Sequence, residues 1–120
     1  TMGSLLKTLL EFEGFSVTSI TGIDESEILS TLKEKKPEVM LLDVHLKTMN
    51  GINILTKIRE SNSHKGLRVI MTSGMDVSEK CITMGADDFL LKPYLPDSLI
   101  QAIHRLIGKK ENENIHLDSI

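Results

Sequence analysis

Three polar residues each close a short apolar run: Asp43 after VMLL, Ser73 after VIMT, and Lys92 after FLL. The runs ending in Asp43 and Ser73 read as strands covered on both faces, the pattern of a parallel sheet, and the run before Lys92 as the last strand. In an open parallel sheet the functional crevice lies beyond the carboxyl ends of the strands. An acid, a hydroxyl and an ammonium are therefore expected to converge on one edge, and that trio suits phosphoryl transfer. Asp43 would be the nucleophile that forms an acyl phosphate. Lys92 and a divalent cation would offset charge on the transferring oxygens, and the Ser73 hydroxyl would donate to one of them. Each residue alone has a plainer reading: Asp43 as a helix cap or turn, Ser73 as a turn residue, Lys92 as a solvated loop lysine. Their recurrence at three strand ends separates the two readings.

The elements that must carry them alternate along the chain. Residues 4–13 place Leu5, Leu6, Leu9, Leu10 and Phe12 mostly on one helical stripe, with Gly14 as a stop. Residues 15–20 alternate apolar and polar with β-branched side chains, as in a strand near a sheet edge. Asp24 or Ser26 can cap a second helix through Ile28, Leu29 and Leu32, whose last turns hold Lys33, Lys35 and Lys36 and which Pro37 ends. A helix with Ile52, Ile54, Leu55 and Ile58 follows Gly51, and residues 61–66 form a loop. A weakly amphipathic helix through Cys81 and Met84 ends at Gly85, and a final helix capped at Asp97 or Ser98 carries Leu99, Ile100, Ile103, Leu106 and Ile107. Met40, Met71 and Met84 are expected to fill the core. The order is helix–strand alternation throughout, which implies right-handed crossovers and an α/β sheet with helices on both faces.

The chain has 120 residues, with 40% hydrophobic and 26% charged residues and a formal net charge of -3. This is ordinary globular composition, with no clustered basic surface for nucleic acid and no run long enough to span a bilayer. The lone Cys81 excludes an internal disulfide and fits a reducing compartment, so a cytoplasmic domain is expected, with Cys81 a small helix residue and not a nucleophile. His45, His64, His104 and His116 show no metal-ligand spacing and read as surface or loop residues. No Walker sequence, nucleophile elbow or cysteine-pair motif occurs.

Three segments resemble one family. LLDVHLKTMNG at 41–51 is similar to the phosphoacceptor strand and loop of the receiver domains of two-component response regulators. VIMTSG at 69–74 resembles their fourth strand with its terminal hydroxyl residue, and GADDFLLKPY at 85–94 resembles their Gly-Ala-aromatic-Lys-Pro signature, whose Lys-Pro bond is usually cis. The resemblance implies a doubly wound, flavodoxin-like parallel sheet of strand order 2-1-3-4-5. It implies Asp43 as phosphoacceptor, Ser73 as switch hydroxyl, Lys92 as phosphate-sensing lysine and Phe89 at the switch-aromatic position. Asp43 and the backbone carbonyl of His45 would ligate Mg²⁺. A histidine kinase or phosphotransfer protein would donate the phosphoryl group, and a downstream effector protein or domain would read the surface at 76–108. The chain would catalyse only its own Asp43 phosphorylation and dephosphorylation. Direct nucleic-acid and membrane contacts are not implied.

The family usually opens with a strand ending in two or more acids that bind Mg²⁺, and neither strand nor acids precede the first helix here. Residues 1–108 are thus expected to form a receiver lacking its first strand, with a weak or incomplete Mg²⁺ site, and 109–120 a polar C-terminal tail or linker. Three accounts of the gap stand side by side: a truncated chain, the segment 114–120 filling the place in its own or a neighbouring molecule, or a naturally degenerate receiver. The second admits a homodimer or strand swap, and would bury His116. A non-phosphorylated pseudo-receiver acting as a constitutive interaction module is the alternative function. Lys47 stands where the family commonly has Pro, a modest departure.

Overall fold

The fold is taken from a computed structural model that describes residues 2–20, 24–108 and 114–118. In chain order the elements are α1 (Met2–Phe12), β1 (Ser16–Ile20), α2 (Glu25–Lys35), β2 (Val39–Asp43), α3 (Gly51–Glu60), β3 (Arg68–Ser73), α4 (Ser78–Thr83), β4 (Asp88–Leu91), α5 (Pro96–Ile107) and β5 (Asn114–Asp118), with a 3-10 turn at Asn62–His64. The strands form one sheet in the order β1-β5-β2-β3-β4, every neighbouring pair parallel.

All five residues of β2 are buried. Alternate residues serve opposite layers, because strand side chains point in turn to the two faces. Val39 and Leu41 pack with Leu6, Leu10 and Phe15 from α1 and its turn, and with Leu99 and Ile103 of α5. Met40 and Leu42 pack with Ile28 and Leu32 of α2, with Ile54, Leu55 and Ile58 of α3, and with Cys81 of α4. Met40 and Met71 are core as expected, but Met84 is 38% exposed, since it follows the short α4 as its C-cap and points away from the sheet. His104 is half-buried, with its ring centroid 5.5 Å from that of Phe15.

Of the three accounts of the missing strand, the structure has the second, within one molecule: residues 114–118, also expected as part of a polar tail, form β5 in the sheet's interior, where a first strand was missing. Ile115 is level with Val17 on one side and Val39 on the other. Without it, β1 and β2 would present unpaired N–H and C=O groups toward each other across a gap, a cost that a parallel ladder removes on both sides. Apolar residues at 115 and 117 suit an inner strand. Residues 109–113, 119 and 120 of the expected tail, and Thr1, lie outside the described residues.

Helix ends show what short-range chemistry fixes. The Asp24 side chain accepts from the Glu27 N–H at 2.8 Å and caps α2, as expected. Asn50, not singled out from sequence, caps α3 by accepting from the Ile52 N–H at 2.8 Å. The cap of α5 is corrected from Asp97 or Ser98 to Leu95, with Pro96 in the first turn, where a missing N–H costs nothing.

At the amino ends of β3 and β4, Arg59 ties three segments together. Its guanidinium donates to the carbonyls of Gly85 (2.8 Å) and Leu67 (2.7 Å) and to the Asp87 carboxylate (2.8 Å), which also accepts from the Val69 N–H at 2.8 Å. Gly85 adopts φ +115°, and a Cβ there would lie 2.8 Å from the Arg59 Cγ. Arg59→Ala is expected to cost about 3 kcal/mol in urea unfolding, because it strands two carbonyls and a carboxylate. A loss under 1 kcal/mol would show that water replaces the guanidinium.

Candidate functional site

Pairing register decides what converges at the carboxyl edge. Asp43, the last residue of β2, is level with Thr72, and Ser73, the last of β3, is level with Leu91. The ladder then continues by one bond on each side: Val44 N–H donates to Thr72 O (2.9 Å) and Lys92 N–H to Ser73 O (2.8 Å). Asp43, Ser73 and Lys92 are thus held by three adjacent strand ends.

Asp43 is only 8% exposed, and both carboxylate oxygens are engaged. Oδ1 accepts from the His45 N–H at 3.0 Å, and Oδ2 is paired with the Lys92 ammonium. The Lys92–Pro93 bond is cis. Ser73 is fully buried, and its Oγ accepts from the Met75 N–H at 3.1 Å, so its hydroxyl is turned toward the loop after β3. His45 contributes through its backbone and exposes its ring. Phe89 is half-buried, packed against the α2–α3–α4 layer.

The loop after Asp43 is closed by Gly51. Its N–H donates to Val44 O at 2.7 Å, Leu46 N–H donates to Met49 O at 3.1 Å, and His45 bridges Asn50. A Cβ on Gly51 would run into the Asp43 carbonyl, with the Asp43 carbonyl carbon at 2.9 Å and the Val44 Cα at 3.0 Å. The helix after Gly51 was legible in the sequence. The backbone contact that demands glycine is tertiary and was not.

Tyr94, the last residue of the 85–94 segment, packs against the α1–α5 layer. Burial, and then the nearby Asp43 charge, push its phenol up to about 12. The fold therefore favours the neutral phenol. That contribution is whole below about pH 10, where the unfolded phenol starts to ionise, and is lost as pH rises toward 12. Tyr94→Phe should accordingly lose less stability than the parent between pH 9.5 and 11.5, read as urea midpoints. Parallel decline in both proteins would remove Tyr94 from the alkaline limb. Burial likewise pushes the Cys81 thiol up, in keeping with an unreactive helix residue.

The response regulator receiver domain family matches residues 1–104. The chain belongs to that family. The DNA-binding response regulator MtrA of Mycolicibacterium smegmatis is 30% identical over 122 residues, covering 99% of this chain and 51% of the relative. The phosphate regulon transcriptional regulatory protein PhoB of Rhizobium meliloti is 32% identical over 112 residues, covering 91% and 48%. The chain thus spans about half the length of these relatives. The receiver domain of sensor histidine kinase PA1611 from Pseudomonas aeruginosa, solved with magnesium coordinated in its active-site cleft, superposes with a TM-score of 0.75 at 20% identity, covering 88% of each chain. The sheet with flanking helices is the flavodoxin-like receiver fold. The chain is a receiver domain of two-component response regulators, a signalling module whose family role is to accept a phosphoryl group.

Its inner strand follows α5 in the chain, yet the spatial order matches the family's 2-1-3-4-5. No helix among the described residues is long and apolar enough to cross a membrane.

Proposed function

We propose that Asp43 is the phosphoacceptor, Lys92 the cation that binds the phosphoryl group, and Ser73 the hydroxyl that senses it. The observation that carries this reading is the buried Asp43 carboxylate paired with Lys92 one strand-end away from a buried Ser73 hydroxyl. An Asp43 oxygen attacks the phosphorus of a phosphohistidine on a histidine kinase or phosphotransfer protein. The new P–O bond forms as the P–N bond breaks, and the leaving imidazole takes up a proton. Lys92, already against Oδ2, stays with the transferred oxygens.

The residues present fit a magnesium ion by the chemistry of the donor set, which is all oxygen. Asp43 and the backbone carbonyl of His45 would hold it. Among the described residues no group of three His, Cys, Asp or Glu side chains is already clustered as a metal site. Magnesium, when bound, offsets charge on the phosphoryl oxygens.

The switch follows from Ser73. Its Oγ now accepts from Met75 N–H, and a phosphoryl oxygen nearby would draw the hydroxyl toward Asp43 as a donor. That leaves the Met75 N–H to be satisfied elsewhere and biases the loop after β3 and the half-buried Phe89. The surface read by an effector is α4, β4 and α5, where Ile82, Leu91 and Leu95 are 48%, 49% and 72% exposed. A single buried cysteine suits a cytoplasmic setting.

Intact-protein mass after incubation with acetyl phosphate and Mg²⁺ tests the reading. A gain of one phosphoryl group by this chain and none by Asp43→Asn is expected. No gain by either protein would favour a constitutive pseudo-receiver.

A further inference from the structure

A groove of about 430 Å³ opens at the amino ends of β2 and β3, the sheet edge opposite Asp43. Its floor includes Leu32 and Leu67, both buried, and Pro37. Its rim carries Lys33, Lys36 and His64, and no acid lines it. Among the described residues neither lysine makes an ion pair; the salt bridges there use Lys57, Arg59, Lys92 and Arg105. This basic pocket lies on a chain whose net charge is -3, so it is a local reversal of sign.

Lys36 adds an independent observation. It ends α2 in the left-handed region at φ 48°, ψ 56°, with its N–H donating to Leu32 O at 2.9 Å. Glycine is the usual residue there, because a Cβ is disfavoured at positive φ. Lys36 is also the only non-glycine residue with positive φ among the described residues. A lysine kept where glycine fits better, with its side chain on the groove, points from strain to use.

We propose that this groove docks an acidic peptide segment of a partner protein, with an aliphatic side chain against Leu32, Pro37 and Leu67 and carboxylates on Lys33 and Lys36. Charge complementarity selects the occupant. The bare cations attract carboxylates, and the apolar floor excludes a purely polar anion as the best fit. The groove lies away from Asp43, so binding there stands or falls separately from phosphorylation.

The probe is a fluorescein-labelled peptide of sequence Asp-Leu-Glu-Glu-Leu-Asp, followed by fluorescence anisotropy on the full chain. Its amide counterpart, Asn-Leu-Gln-Gln-Leu-Asn, and a single-stranded oligodeoxynucleotide serve as comparisons. The peptide should bind, the amide counterpart about tenfold more weakly or worse, and added salt should weaken binding. The double variant Lys33→Ala/Lys36→Gly should lose about tenfold in affinity while folding at least as well, because glycine relieves the left-handed position and alanine favours helix. Acetyl phosphate labelling of that variant should match the parent. Equal peptide affinity in parent and variant, or no saturable binding, would overturn the proposal. Retention of the oligonucleotide without the peptide would also overturn it, in favour of nucleic acid.

Discussion

Replacing Lys92 with alanine should slow phosphorylation of Asp43 by acetyl phosphate about a hundredfold or more, the usual effect of deleting one preorganised charge at a developing anion. In the resting structure Lys92 neutralises a carboxylate that is 8% exposed. In the transfer it would sit against phosphoryl oxygens that gain charge as the leaving group departs. On the proposed reading its ammonium would act twice, first holding Asp43 in line and then stabilising the phosphorylated carboxylate. Lys92→Arg separates the two roles. Guanidinium keeps the charge but not the compact point of it, and it is longer, so it should restore ion pairing more than rate. Initial rates from intact mass, with Mg²⁺ saturating, give the comparison. A rate within threefold of the parent in Lys92→Ala would contradict the role assigned to this residue.

The second large effect concerns Gly51, a residue with no functional group. Alanine at this position would place its Cβ against the Asp43 carbonyl, between two backbone atoms at 2.9 and 3.0 Å. Backbone cannot step aside as the end of a flexible side chain can, so the loop itself would have to open. We expect a loss of about 3 kcal/mol or more on urea unfolding, at the upper end for added volume in a packed site. The hydrogen bond from Gly51 N–H to Val44 O would lengthen with it. Because the displaced carbonyl belongs to Asp43, the proposed acceptor, phosphorylation should fall even in the fraction that stays folded. A variant as stable as the parent would mean the loop has room that the geometry denies.

Much of this was legible before any coordinates. The apolar runs ending in Asp43 and Ser73 announced buried parallel strands, the run before Lys92 is a strand but only half-buried, and alternation with helices fixed the layers. The residues that could do chemistry were legible for the same reason, since a charged or hydroxyl group at the end of an aliphatic run has few structural uses. What was not legible depended on tertiary partners. Arg59 looks like any basic residue near a helix end, and only the fold brings Gly85, Leu67 and Asp87 to it. Met84 kept the helical spacing but lies just past α4, outside the packed face. The segment 114–118 was half-legible: residues 115 and 117 offered an apolar strand for the gap, yet it also read as polar tail because Asn, His and Asp outnumber them. Its strand state comes from the vacancy between β1 and β2, not from its own propensity.

That placement divides the sheet unequally. β2 has two neighbours, β3 and β5, whereas β1 has only β5. Each register pair that anchors β1, from Ser16 with Asn114 to Ile20 with Asp118, spans nearly the whole chain, while β2, β3 and β4 join through local crossovers. Any opening that frees β5 leaves β1 without a ladder and leaves β2–β3–β4 intact. In amide exchange the two strands should behave as one cooperative unit, losing protection together and before the other three. The molecule can then loosen one flank without melting, and the flank that loosens ends beside Asp43, the proposed acceptor.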